Sequence, residues 1–324
     1  MKITEKQLRK IIENSVSSQL KHYSFYEQNK HSKHSKQNES YYERHKIHTG
    51  KTLYKHRSHN NSLVNEQLND EYKYFPKNNK ELSNAIKQEI IQNGYDCDLN
   101  VIDTSKIKDM SNIFKDSYFT GDISNWDVSK VENMNSMFYN SAFNGDISNW
   151  KVNKVKNMSN MFRDSVFNTD ISKWNVSNVY NMAWMFYNSK FNKNISKWNV
   201  SNVLDMSFMF ANSKFNGDIS NWNTGKVIDM SFMFNNSIFN GNISNWKVSR
   251  VTDMSFMFEN SKFNGDISKW NISKVINMSN MFYNSSFNND LTNWKQRINK
   301  NCELENFGIN NINDYDDFQT YIDE

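Results

Sequence analysis

Proline occurs once in the 324 residues, at Pro76, and glycine only nine times. A loop-rich β-sandwich needs turn residues throughout and is excluded by that scarcity. The two cysteines, Cys97 and Cys302, flank the patterned part of the chain and are too few for the framework of a small disulfide-stapled domain. The opening MKITEKQLRKIIENSV is charged throughout, so neither a signal peptide nor a membrane span is expected there. That leaves a cytoplasmic or virion-associated location as the default. Histidine is absent from everything beyond residue 60, because all seven lie between His22 and His59. With no recognisable phosphate loop and no nucleophile–base–orienter set either, catalysis is not expected, and no catalytic or cofactor-binding residue is assigned.

What the chain has in quantity is Asn, Ser, Lys and aromatic residues. Apolar residues make up 37% and the mean hydropathy is −0.84. The net charge of +4 is uneven: residues 1–75 hold 14 Lys/Arg against 8 Asp/Glu, and the remainder 25 against 27. A basic tail precedes a nearly neutral body.

The body is periodic. Trp126, Trp150, Trp174, Trp198, Trp222, Trp246, Trp270 and Trp294 are spaced by 24 residues, and Met110 to Met278 keep the same step. Only Met1 of the 16 methionines lies outside the repeats. One coil reads V-x-x-M-x-x-M-F-x-N-S-x-F-N-G-D-I-S-N-W-x-V. Met134, Met137 and Phe138 are spaced as one face of a helical turn. Asn144-Gly145-Asp146 suits a tight bend, and Trp150 and Val152 alternate around Lys151 as in a short strand. The expected fold is an α/β repeat solenoid: eight 24-residue strand–turn–short-helix coils, with the strand spaced as in leucine-rich repeats and Trp in place of a leucine. A lone coil cannot cover its own Trp, Phe and Met side chains, whereas stacked neighbours can. Strands about 4.8 Å apart would make the stack roughly 40 Å long.

The flanks divide accordingly. Residues 1–20 are expected to form an amphipathic helix, with Leu8, Ile11, Ile12, Val16 and Leu20 in one stripe. Residues 21–76, rich in His and Lys, lack the apolar area to order themselves and are expected to be a disordered linker. Residues 77–99 form an N-terminal cap around a helix at 79–94, with Leu82, Ile86, Ile90 and Ile91 on one face and Gly94 as its stop. The solenoid occupies 100–294. Residues 295–324 abandon the repeat, turn acidic, and form a C-terminal cap.

The phrases NVIDTSKIKDMSNIF, FNGDISNWDVSKV and FNGDISKWNISKV resemble the BspA-like leucine-rich repeat surface proteins, including the repeat of unknown function found in mycoplasma lipoproteins. The resemblance covers residues 95–294. It implies a leucine-rich-repeat-like solenoid displayed on a cell surface for adhesion or partner binding, although no lipobox cysteine stands near the start of this chain. The opening MKITEKQLRKII resembles the leading helices of proteins from AT-rich marine bacteriophages, which implies a virion role.

HKIHTGK at 45–51 echoes a zinc-finger linker, but the upstream C-x-x-C a finger needs is missing. The recurring acids Asp122, Asp146, Asp170, Asp218, Asp266 and Asp290 offer one carboxylate per coil, too few oxygens for calcium, and are expected to cap turns. No metal site is assigned. The column Asn140, Asn188, Asn212, Asn236, Asn260 and Asn284 is expected to form side-chain ladders or left-handed ends. The position between the two methionines is polar in the outer coils (Asn112, Ser136, Asn160, Asn280) and large and apolar in the central ones (Trp184, Phe208, Phe232, Phe256). Four residues earlier stand Tyr180, Leu204, Ile228 and Thr252, on the same face if the turn is helical. Tyr180, Trp184, Leu204, Phe208, Ile228, Phe232 and Phe256 are therefore the candidate binding residues. The stripe would serve a protein or glycan partner or self-association, or else cover the chain's own Leu8–Val16 stripe or thicken the core. The alternative function is nucleic-acid association through the basic residues 21–60.

Overall fold

The computed structural model describes residues 72–308; the expected helix at 1–20 and most of the 21–76 linker lie outside them. Helix α1, Asn79–Asn93, opens the described part where the sequence placed it. Asn78 caps it by accepting from the Glu81 N–H at 3.0 Å, while Glu81 Oε2 accepts from the Lys77 N–H at 2.8 Å. Gly94, at φ 91°, ends the helix by donating its N–H to the Ile90 carbonyl. Leu82, Ala85 and Ile86 are buried against the first coil, but Ile91 points outward and is 83% exposed.

From Asp98 onward the chain forms coils that stack in parallel, each residue lying beside its counterpart 24 positions on. Per coil, eight side chains fill the interior, as Ile147, Trp150, Val152, Val155, Met158, Met161, Phe162 and Phe167 do in one. None of these is more than 4% exposed. Like stacks on like across coils: Phe138 on Phe162 at 5.6 Å, Phe143 on Phe167 at 6.4 Å, Trp150 on Trp174 at 6.4 Å, all within about 11° of parallel.

The local conformation within a coil differs from the expected one. The Met-x-x-Met-Phe segment is not a helical turn but a succession of tight turns closed from i to i−3, as from Met137 N–H to the Met134 carbonyl and from Tyr139 N–H to the Ser136 carbonyl. Ser136 and Asn140 take left-handed backbone (φ 55° and 50°), which an α-helix does not tolerate. Alternate residues then send their N–H to the next coil. Met110, Asn112, Phe114 and Asp116 donate to the carbonyls of Asn133, Asn135, Met137 and Tyr139 at 2.8–3.0 Å. The expected strand at Ile147–Val152 shows no such backbone ladder among its own hydrogen bonds. It is tied across coils by a side chain instead. The indole N–H of Trp150 donates to the carbonyl of Ile123 in the preceding coil at 3.2 Å, and Trp126, Trp174, Trp198, Trp222, Trp246, Trp270 and Trp294 make the equivalent bond. Buried tryptophan needs a partner for its N–H, and here every one is met by the neighbour.

Asparagines add two external ladders. The side-chain oxygens of Asn144, Asn168, Asn192, Asn216, Asn240 and Asn264 each accept the backbone N–H of the next asparagine in the column at 2.8–3.2 Å. The expected Asn140 column combines both anticipated roles, with left-handed backbone and side-chain bonds such as Asn188 Nδ2 to Asp164 at 2.8 Å. Asn216→Ala removes one acceptor at the surface and is expected to cost about 0.5–1 kcal/mol in a denaturant melt.

Both ends of the stack are closed. Asn79 donates its side-chain amide to the carbonyls of Ser111 and Asp109, which lack a preceding coil to bond. Tyr74, assigned to the linker by sequence, bridges Ile102. At the far end the repeat is not abandoned after Trp294. Met278, Asn280 and Phe282 donate to Glu303, Glu305 and Phe307 in the established pattern, with Asn277 bridging Glu303 across 26 residues instead of 24. Two inserted residues hide this last half-coil from a strict period. Ile298, Cys302, Leu304 and Phe307 are buried in it, and burial first of all pushes the Cys302 thiol up to about 12.

Candidate aromatic binding face

Each coil turns outward between two apolar side chains, both methionine except in the first coil (Met110 and Ile113), and the residue there has a positive φ in every coil from Asn112 to Asn280. Asparagine tolerates this backbone; bulky residues do so at a cost of about 1 kcal/mol or more each. Trp184 (φ 63°), Phe208, Phe232 and Phe256 (each 57°) nevertheless occupy it in four successive coils. Their rings stack in one continuous column, with centroids 3.7, 4.2 and 4.4 Å apart and planes within about 10°. Trp184, Phe208 and Phe256 are half-buried and Phe232 is 8% exposed. The ring faces are covered by one another, so the edges are what the column offers.

One end of the column is closed by a cation. The Arg163 guanidinium lies 4.3 Å from the Trp184 ring centre, with Tyr187 at 5.0 Å and Tyr139 at 5.3 Å, and its Nε contacts the Asp164 carboxylate at 3.3 Å. Burial foremost raises the Tyr187 phenol above its usual range. Arg163, Tyr139 and Tyr187 were missed by the sequence reading. Aligning the position after the buried Phe, which reads Lys115, Tyr139, Arg163, Tyr187, would have shown them together.

Tyr180, Leu204 and Ile228 form a separate, half-buried column. Their backbone N–H groups donate to Lys156, Tyr180 and Leu204 of the preceding coils at 2.8–2.9 Å. They were expected to share a helical face with Trp184, Phe208 and Phe232. That relation fails because no helical turn exists there, and the ring contacts of Trp184 run to Phe208 and Tyr187.

The recurring Asp column caps turns. Asp146, Asp170, Asp218 and Asp266 accept the N–H of the serine two residues on at 2.8–2.9 Å, and that backbone bond holds their carboxyls below the ordinary range. Among the described residues no three His, Cys, Asp or Glu side chains are gathered as for a metal ion, and no helix is long and apolar enough to cross a membrane.

The sequence pattern described as "Mycoplasma protein of unknown function, DUF285" matches three overlapping stretches, residues 80–190, 140–238 and 211–315. The chain belongs to the DUF285 family. No curated protein and no solved structure matches it. The match runs from residue 80, within α1, to residue 315, so the coils and parts of both capping regions fall inside the DUF285 pattern. A DUF285 repeat protein with a Trp and two Phe per coil is the identity that the comparison supports.

Proposed function

We propose that this DUF285 chain is a non-enzymatic recognition scaffold and that its partner is a protein docking along the column Trp184–Phe208–Phe232–Phe256. The observation that carries the reading is the left-handed backbone beneath four bulky aromatics. The fold is served at this position by Asn112, Asn160 and Asn280, so the aromatics add strain that stacking alone does not require. A contiguous row of aromatic side chains, three of them partly exposed, suits an interface. Sugar recognition by ring stacking needs a free ring face, and here the faces are occupied, which favours a protein over a glycan. The parallel coils and the I-x-x-W-x-V line support kinship with leucine-rich-repeat-like adhesion modules, and a surface- or virion-displayed role is part of the same proposal.

The test replaces Trp184, Phe208 and Phe232 with Asn, the residue other coils use. A peptide display library is selected on the wild-type chain, and its binders are re-measured on the triple variant, with a glycan array in parallel. The expected result is a folded variant, with a melting temperature within a few degrees of wild type, that loses at least tenfold in affinity for those peptides. An unfolded variant would make the column part of the core. Peptide binding that survives the substitution, or glycan binding that depends on the column, would overturn the protein-docking reading.

A further inference from the structure

Glycine follows asparagine at four places in the outer ladder: Asn144 and Gly145, Asn216 and Gly217, Asn240 and Gly241, Asn264 and Gly265. Asn168, Asn192 and Asn288 hold the same ladder position but precede Thr169, Lys193 and Asn289. The coil therefore accepts a side chain after the asparagine, and the Asn-Gly pair is not imposed by the fold. A fifth such pair, Asn93 and Gly94, stands at the end of α1, outside the ladder.

The pair is reactive. A glycine nitrogen attacks the side-chain carbonyl carbon of the asparagine before it, because no Cβ on the glycine hinders the approach. The N–Cγ bond forms as the Cγ–Nδ2 bond breaks, and ammonia leaves with the glycine amide proton. Water then opens the cyclic imide. Cleavage of the new N–Cγ bond gives aspartate, and cleavage of the original peptide bond gives isoaspartate. Nothing is oxidised or reduced, and water is the only co-reactant.

The ladder leaves the reacting groups available. Among the described residues, the N–H groups of Gly145, Gly217, Gly241 and Gly265 donate no hydrogen bond, and neither do the amide nitrogens Nδ2 of Asn144, Asn216, Asn240 and Asn264. The side-chain oxygen of each of these asparagines accepts the backbone N–H of the next one at 2.8–3.0 Å. That donor favours the negative charge that develops on the oxygen during attack. All four asparagines are exposed to water. Asn93 is exposed as well, but its pair is engaged on both sides. Gly94 donates its N–H to the Ile90 carbonyl at 2.8 Å, and the Asn93 amide donates to the Glu89 carboxylate.

We propose that Asn144, Asn216, Asn240 and Asn264 are sites of spontaneous deamidation in the folded protein, so that this ladder gains negative charge as the molecule ages. An aspartate product keeps an acceptor in place, as Asp116 and Asp164 do for Asn140 and Asn188 in the other external ladder at 2.8 Å. An isoaspartate product routes the backbone through Cβ and shifts the register of its coil. The full chain is held folded at physiological temperature and mildly alkaline pH for several weeks, beside a sample unfolded in guanidinium. Peptide mapping by mass spectrometry follows the conversion of each asparagine to the acid. In the folded sample, conversion at the four sites is expected to exceed that at Asn168, Asn192 and Asn93 at least tenfold, and to quicken as pH rises. In guanidinium, Asn93 is expected to join the four while Asn168 and Asn192 lag. Lys193→Gly is expected to switch Asn192 on, and Gly217→Lys, which copies Lys193, to silence Asn216 and leave Asn240 unchanged. Folded-state conversion at the four sites no greater than at Asn168 and Asn192 would overturn the assignment. So would conversion of Asn93 as fast as the ladder sites in the folded chain, because the hydrogen bonds would then select nothing.

Discussion

Trp198→Ala is expected to lower the unfolding free energy by about 4 kcal/mol, measured by urea denaturation. Trp198 is 3% exposed in the middle of the stack, and its removal opens a cavity between two coils that cannot collapse without breaking the registered ladders on either side. The loss includes a hydrogen bond, because the Trp198 indole N–H donates to the Ile171 carbonyl at 3.1 Å. Trp198→Phe, which keeps an aromatic ring but no donor, is expected to retain more than half of the stability difference. A nearest-neighbour stack with an open end would make Trp294→Ala far milder. The half-coil at 295–308 removes that distinction: Trp294 is fully buried, bonded to Ile267 and stacked on Trp270 at 6.4 Å. Trp294→Ala is expected to match Trp198→Ala within about 1 kcal/mol, and a loss under half as large would show that residues 295–308 do not close the stack.

Asp253→Asn is expected to stabilise the protein at pH 7 by up to about 3 kcal/mol, the value of a carboxyl moved from 3.8 to about 6. The groups facing it are Ser255 on its own coil, Asp229 on the coil before, and Glu303 on the half-coil beyond Asn277. Only Ser255 favours the charged form. A carboxyl whose folded value is raised binds its proton more tightly in the folded state. Its stabilising contribution is complete below about pH 4 and is lost as pH rises through about 6. Asparagine carries no such dependence. The difference between variant and wild type is thus expected to be largest above pH 6.5 and to shrink toward zero near pH 4. A pH-independent difference would show that Asp253 keeps its ordinary carboxyl in the fold.

The stack was legible because its period lies in side chains too large to hide: Trp, Phe and Met recur at fixed steps, and only coil-on-coil packing covers them. Helix α1 was legible from Leu82, Ile86 and Gly94 for equally local reasons. The conformation inside the coil was not. Met134, Met137 and Phe138 fall on one side of a run of tight turns as they do on a helix, so their spacing could not separate the two. The distinguishing signal was the asparagines at 112, 160 and 280 together with those at 140 and 188, two left-handed positions four residues apart in each coil. The aromatic column was visible as an alignment column, whereas its pairing with Tyr180, Leu204 and Ile228 rested on the helix that does not form. Arg163, distant in sequence from Trp184 by most of a coil, could be joined to it only by stacking coils in register.

Each coil hands the same hydrogen bonds to its neighbours: the indole reaches back one coil, and the Met-x-x-Met-Phe segment reaches forward one. The unit is therefore interchangeable at the level of the gene. Unequal crossing-over that excised residues 218–241 would join Gly217 to Asn242 in register and leave every tryptophan with a carbonyl to bond. The shortened protein would keep Arg163 at one end of the aromatic column and Asn280 beyond the other, with one ring fewer between them. Heritable gain and loss of such units gives a lineage a ruler for the length of this face, adjustable in steps of one phenylalanine, without redesign of the core.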